Sequence, residues 1–127
     1  MNANAFIDTN IFIYTQRTDA PQKTAIAKET IRFFECFAST QVFNEICNIL
    51  TKKYPTPVDE IDTFLQDIRN SCAIALITEE RISEALALHD RLHFSYYDSL
   101  MIASALSCNC EYLISEDADS FSPNMVL

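Results

Sequence analysis

Short apolar runs alternate with longer amphipathic stretches along the chain. Ala3 to Ile7 form an apolar run that stops at Asp8, Thr9 and Asn10 before apolar residues resume. The run reads as a buried strand, and Asn10 to Gln16 as a first helix. Thr18, Asp19 and Pro21 punctuate the chain. A second helix is predicted from Pro21 to Phe34, with Ala25, Ile26, Ile31, Phe33 and Phe34 only partly periodic. Cys36 to Ala38 read as a second strand. Ser39 or Thr40 suits the N-cap of the next helix, because a short hydroxyl there can accept from a free backbone N–H. Val42, Ile46, Ile49 and Leu50 recur at i, i+4, i+7 and i+8, one face of that helix. Lys52 and Lys53 suit its negative end, and Pro55 stops it.

A further helix is predicted from Pro57 to Ser71, with Val58, Ile61, Phe64, Leu65 and Ile68 on one face. Cys72 to Ile77 are continuously apolar, the pattern of a strand buried on both faces. Thr78 caps a helix from Glu79 to His93, and Phe94 and Ser95 separate it from another from Tyr96 to Ser107. Glu111 to Ile114 form a strand that ends at Ser115, Glu116 and Asp117. Asn124 to Leu127 offer a short edge strand. Strands alternating with helices predict a three-layer α/β/α sandwich with a central, mostly parallel sheet of four to five strands.

Composition sharpens this picture. The 127 residues fit a single domain, 1–127, and 49% apolar residues supply a core. No apolar run approaches the roughly 20 residues that span a bilayer, so no membrane role is expected. The N-terminus lacks a basic segment followed by an apolar one, and the expected location is cytoplasmic. Five cysteines, at 36, 47, 72, 108 and 110, show no C-x-x-C pair and read as buried free thiols. Glycine is absent, which excludes glycine-rich phosphate cradles and the G-x-S-x-G elbow. His89 and His93 lack the H-E-x-x-H arrangement and read as helix-surface residues. A net charge of −9 excludes a general nucleic-acid binder, since phosphate affinity rests on Lys and Arg. Any nucleic-acid role must be local, metal-assisted or shared with a partner.

Four acids interrupt apolar patterns. Asp8 and Asp117 follow strands. Glu45 and Asp98 lie near helix N-termini, Glu45 in about the first turn of its helix. In a doubly wound sheet these ends share one edge, where ligands collect. Acids crowded there repel each other, and a divalent cation or raised pKa values resolve the conflict. An all-oxygen set suits Mg²⁺ or Mn²⁺, ions that activate water and offset charge on a phosphate. Each acid also has an ordinary structural use, as a cap, a turn former or a partner of the helix dipole. The joint pattern is what points to chemistry.

Four motifs, FIDTNIFIY, STQVFNEICNIL, FSYYDSLMIASAL and YLISED, occur in the order found in PIN-domain proteins. The chain resembles that family, and within it the VapC-like ribonuclease toxins of toxin–antitoxin pairs. The resemblance implies a parallel sheet flanked by helices and an acidic site of Asp8, Glu45, Asp98 and Asp117. Asp8 and Asp98 would be the principal ligands of Mg²⁺ or Mn²⁺, with Glu45 and Asp117 completing the set directly or through water. Asp119 is the fallback for the fourth acid. Thr9, Asn10 and Ser115 would orient acids or water. The implied activity is endonucleolytic cleavage of RNA. The implied partners are a small antitoxin and a second copy of the chain, with Phe33, Phe34 and Phe37 as candidate interface residues. DNA recognition is expected to fall to the antitoxin. Arg17, Lys52, Lys53 and Arg69 are candidates for phosphate contacts.

Two other readings fit the residues less fully. A catalytically inactive PIN-like binding module would act through a protein partner and bind no divalent ion. A phosphatase or receiver-type domain would use Asp8 as nucleophile or phosphoacceptor. A D-x-D pair would favour the phosphatase, but Thr9 and Asn10 follow Asp8 instead.

Overall fold

The computed structural model describes residues 2–115 together with the backbone of Met125–Val126. The elements run β1 (Asn4–Ile7), α1 (Thr9–Tyr14), α2 (Pro21–Phe33), β2 (Glu35–Ser39), α3 (Thr40–Lys52), α4 (Val58–Ser71), β3 (Cys72–Ala75), α5 (Glu79–Leu92), α6 (Tyr96–Ser107), β4 (Tyr112–Ile114) and β5 (Met125–Val126). The sheet order is β3-β2-β1-β4-β5. The first four strands are parallel, and β5 pairs antiparallel with β4. Helices flank this sheet in the α/β/α sandwich that the alternation of patterns predicts.

The order of strands matters for function. The chain leaves β1, lays β2 and β3 on one side, then returns to place β4 on the other side of β1. The connections therefore diverge at the carboxyl ends of β1 and β4. That divergence opens a crevice, the usual ligand position in open parallel sheets. Register holds β1 between its neighbours, with Phe6 opposite Phe37 on β2 and Leu113 on β4.

Hydroxyl caps start the helices that face this edge. Ser39 Oγ accepts from Val42 N at 3.4 Å, Thr78 Oγ1 from Arg81 N at 3.2 Å, and Ser95 Oγ from Asp98 N at 3.1 Å. Pro21 opens α2, where its missing N–H costs nothing. Among the described residues, two positions take a left-handed backbone, His93 (φ 60°) ending α5 and Asn109 (φ 57°) in the turn before β4. Glycine would ordinarily serve there. His and Asn are among the residues that tolerate the conformation best. Both histidines lie exposed at the end of α5, as the pattern predicts.

The main core gathers Phe6 and Ile7 of β1, Ile11 and Phe12 of α1, Ile46 of α3, and Leu113 and Ile114 of β4. A smaller cluster of Ala85, Leu100 and Ala103 lies between α5 and α6. Cys36, Cys72 and Cys110 are buried free thiols and Cys47 and Cys108 are partly buried, as expected. Phe34 and Phe37 pack on the core, with Phe34 also against Tyr112 at 5.5 Å, whereas Phe33 is exposed. Of the three phenylalanines only Phe33 is therefore well placed for an interface.

Several expectations need correction. β3 ends at Ala75 rather than Ile77 and is not buried on both faces. It lies at the sheet edge, Ala73 is exposed, and Leu76 beyond it is 72% exposed. Apolar continuity alone does not distinguish a central strand from a short edge strand. The helix after β2 begins at Thr40, so Glu45 is its sixth residue and lies in the second turn. The helix dipole acts mainly in the first turn and therefore offers Glu45 little. The edge strand at the C-terminus is present as β5.

Ser99 lies just after Asp98 in α6. It is fully buried and its hydroxyl has no hydrogen-bond partner among the described residues. An unsatisfied buried hydroxyl is destabilising, and alanine is the better helix former. Ser99→Ala is therefore expected to stabilise the fold by about 1 kcal/mol in a denaturant titration. A loss of stability would mean that the hydroxyl has a partner in solution.

Candidate active site

Three of the four acids line one small cleft at the carboxyl edge of the sheet. Asp8, Glu45 and Asp98 meet there with Ser39, Gln41 and Tyr97 above a floor that includes Phe6, and the space is about 90 Å³. Asp117 and its fallback Asp119 lie outside the described residues.

Asp8 is fixed by the strand-to-helix turn. Its backbone N–H donates to Ile114 O of β4 at 2.9 Å, which ties the turn to the neighbouring strand. Its side chain caps α1, with Oδ1 accepting from Thr9 N at 2.7 Å. Glu45 projects from α3 one turn beyond Gln41, and both line the cleft. Asp98 is the third residue of α6 and is exposed at the cleft.

The electrostatics show acids held near one another. Burial is the main cause that pushes the Asp8 carboxyl above the ordinary aspartate range. Hydrogen bonds from Thr9 N–H and Ser115 offset part of this, and the charge of Asp98 adds to the upward push. Glu45 is also pushed up, first by burial and then by the Asp8 charge. Gln41 and Thr9 act in the other direction, and Asp98 again raises it.

These shifts have a definite sign for stability. An acid whose pKa is raised on folding holds its proton more tightly in the folded state. Its ionisation costs stability, and that cost appears as pH rises through the folded pKa. Asp8→Asn and Glu45→Gln are therefore expected to raise the melting temperature at pH 7. The gain should shrink toward zero as pH falls below the ordinary carboxyl range, where the native acids are protonated in both states. A melting series from pH 7 to pH 4 checks this. A variant that loses stability at pH 7 would show that the charge is compensated in the fold.

The supporting residues separate. Ser115 lies beside Asp8 and Thr9 beside Glu45. Thr9 Oγ1 is buried, close enough to favour the charged Glu45, yet not in a well-formed hydrogen bond. Asn10 is exposed as the second residue of α1 and does not line the cleft. Gln41 is a site residue that the sequence pattern did not single out. Its spacing of i−4 from Glu45 was the available signal, since such residues share a helix face.

The donor set fits a hard divalent cation in chemistry. It is all oxygen, burial and the neighbouring acids disfavour its charge, and the buried Thr9 hydroxyl beside it has no hydrogen-bond partner among the described residues. No three His, Cys, Asp or Glu side chains among the described residues converge closely enough to hold an ion by themselves. Mg²⁺ commonly takes only one or two carboxylates and keeps several waters, so the pair Asp8 and Asp98 suffices in kind.

A parallel α/β/α sandwich with acids at the divergence of its central strands defines a class of acidic-cleft proteins. The chain belongs to the PIN domain family, whose model matches residues 5–122. Solved structures share the fold. A toxin–antitoxin complex from Klebsiella pneumoniae is 19% identical with a TM-score of 0.66, covering 93% of this chain and 90% of that one. VapC20 from Mycobacterium tuberculosis, a sarcin–ricin loop cleaving toxin, is 17% identical with a TM-score of 0.69, covering 91% of each chain. VapBC2 from Rickettsia felis, bound to a promoter DNA fragment, is 14% identical with a TM-score of 0.64, covering 91% of this chain and 89% of that one. No curated protein matches the chain by sequence. No helix among the described residues is long and apolar enough to cross a membrane.

Proposed function

We propose that the chain is a Mg²⁺- or Mn²⁺-dependent endoribonuclease and the toxin of a toxin–antitoxin pair. The observation that carries this reading is the meeting of Asp8, Glu45 and Asp98 in one cleft of a PIN-domain chain. Asp8 and Asp98 would hold the cation, with Glu45 and Asp117 completing the set and Asp119 as the fallback. When bound, the cation supplies Lewis acidity toward a phosphate oxygen and favours the ionised form of water.

The protein's own part is positioning and proton handling. Thr9 N–H and Ser115 keep the Asp8 carboxylate turned into the cleft. Glu45 is the acid best suited to accept a proton from an attacking water. Burial and the Asp8 charge hold its pKa above the ordinary glutamate range, and Gln41 and Thr9 favour its charged form. Tyr97, 62% exposed at the rim, offers a ring against which an RNA base can stack.

The structural neighbours include toxin–antitoxin complexes, and this supports a small antitoxin partner that covers the cleft and carries any DNA recognition. A homodimer and a cytoplasmic location belong to the same reading.

The test is calorimetric titration with Mn²⁺ of the wild type and Asp98→Asn, with circular dichroism on both. Binding by the wild type that disappears in the folded variant is the expected result. A folded wild type that binds no ion would replace the nuclease by an inactive binding module acting through a partner.

A further inference from the structure

Two buried thiols on neighbouring strands take no part in the acidic cleft. Cys36 of β2 and Cys72 of β3 are register partners in a parallel pair, Cα beside Cα. Paired residues of parallel strands project to the same face of the sheet, so the two side chains stand next to each other. Both are buried, at 4% and 7% exposure. Cys36 Sγ lies 3.4 Å from the carbonyl oxygens of both Ile31 and Phe34, which places it beside the end of α2.

The spacing suits a covalent bond. A disulfide needs Cα atoms about 4.4–6.8 Å apart. Neighbouring strands stand about 4.7–4.9 Å apart, so the bond can close without rearranging the backbone. The Cβ atoms of parallel neighbours also stand about one strand spacing apart, whereas a relaxed disulfide holds them at about 3.5–4.5 Å. The bond therefore closes under tension, which makes it easier to reduce again.

The two thiols also differ in character. The neighbouring Cys72 favours the thiolate of Cys36 and outweighs burial and the charge of Glu35, so the Cys36 thiol is pushed down. The Cys72 thiol is pushed up, first by Cys36 and then by burial. One sulfur is thus the nucleophile while the other stays protonated beside it. Cys110, by contrast, is pushed up to about 12, chiefly by burial. Access comes from the edge of the sheet. β3 is the edge strand and follows α4 directly, and strand edges open locally at less cost than central strands.

We propose that Cys36 and Cys72 form a reversible dithiol–disulfide site, oxidised by low-molecular-weight disulfides of the glutathione class. The Cys36 thiolate attacks one sulfur of the small disulfide, whose S–S bond breaks and releases one thiolate. The Cys72 sulfur then attacks Cys36 Sγ in the mixed disulfide and releases the second. The two cysteines are oxidised to one disulfide, the small disulfide is reduced to two thiols, and the two cysteine protons end on them. The bond encloses residues 36–72, the segment that holds α3 and α4. It lies three residues, about 10 Å, before Ser39 at the cleft, and neither sulfur lines the cleft, so the site is independent of the nuclease reading.

The test is incubation of the folded chain with oxidised glutathione, an acid quench, alkylation of remaining thiols and mass mapping of tryptic peptides without reductant. It is run on Cys47→Ala, so that peptide 33–52 carries Cys36 alone; peptide 70–81 carries Cys72, and peptide 92–127 carries Cys108 and Cys110. The expected product is 33–52 joined to 70–81, with loss of two hydrogens, little glutathione adduct and full reversal by dithiothreitol. Adding Cys72→Ala should stop the reaction at a glutathione adduct on Cys36. The oxidised chain should melt roughly 10 °C higher than the reduced one, because the closed loop is long. Circular dichroism confirms that each variant is folded. A link between 33–52 and 92–127 would overturn the pairing. A link that forms only in urea, or a folded chain that keeps both thiols, would overturn the site itself.

Discussion

Asp98→Asn is expected to lower Mn²⁺-dependent RNA cleavage roughly a thousandfold while leaving the melting temperature within a few degrees of the wild type. The size follows from the role. Charge stabilisation by a bound cation is worth several kcal/mol, and each 1.4 kcal/mol is tenfold in rate. Replacing one principal carboxylate by a neutral amide removes much of that. The small effect on stability follows from placement. Asp98 is exposed on the first turn of α6, and the cap of that turn is supplied by Ser95 through the backbone N–H of residue 98, which asparagine retains. Removing its charge also relieves the upward push on Asp8 and Glu45. Single-turnover cleavage of a structured RNA pool, with circular dichroism on the same samples, reads both quantities. Full cleavage by the folded variant would remove Asp98 from the site. Asp117→Asn and Asp119→Asn in the same assay decide which of the two serves as fourth acid.

The second large effect belongs to the core. Phe12→Ala is expected to destabilise the protein by about 3–5 kcal/mol, a substantial fraction of the about 5–15 kcal/mol that holds an ordinary domain together. Phe12 is 1% exposed and anchors a helix of only six residues. Such a helix is far too short to persist alone, so its place depends on packing. Phe12 shares the core with Ile11, Ile46 and Ile114. Losing the ring leaves a cavity beneath the segment whose N-cap is Asp8. The melting temperature should fall by roughly 10–20 °C. Ion affinity at the cleft should fall as well, because the Asp8 turn loses its anchor. A change of under 1 kcal/mol would mean that α1 is not packed as described.

These predictions show how closely the acidic site depends on local sequence. Asp8 had to follow β1 because an apolar run of strand length ends there, and the D-T-N turn caps the helix that follows. Asp98 had to lie near a helix start because Ser95 caps and an apolar, alanine-containing stretch follows. The alternation of strands and helices gave the layered class, and the motif order gave the family. Short-range spacing also set the faces of α3 and α4, where apolar residues recur at i, i+3 and i+4.

Other features were decided only by tertiary structure, because they depend on which strands become neighbours. Strand order is not encoded in any local period. It makes β3 an exposed edge although its sequence reads as fully buried, and it parts the connections beside β1 and β4, where the cleft opens. Gln41 shares a helix face with Glu45 by its i−4 spacing, but only the packing of α3 and α6 at the cleft brings that face to Asp8 and Asp98. The meeting of Arg17 and Tyr54 at one hollow joins residues 37 positions apart through the packing of α1 on α3. The sequence determined which residues are acids, caps and core, because those choices rest on nearest neighbours along the chain. The fold determined which of them meet, because burial and charge repulsion act through space.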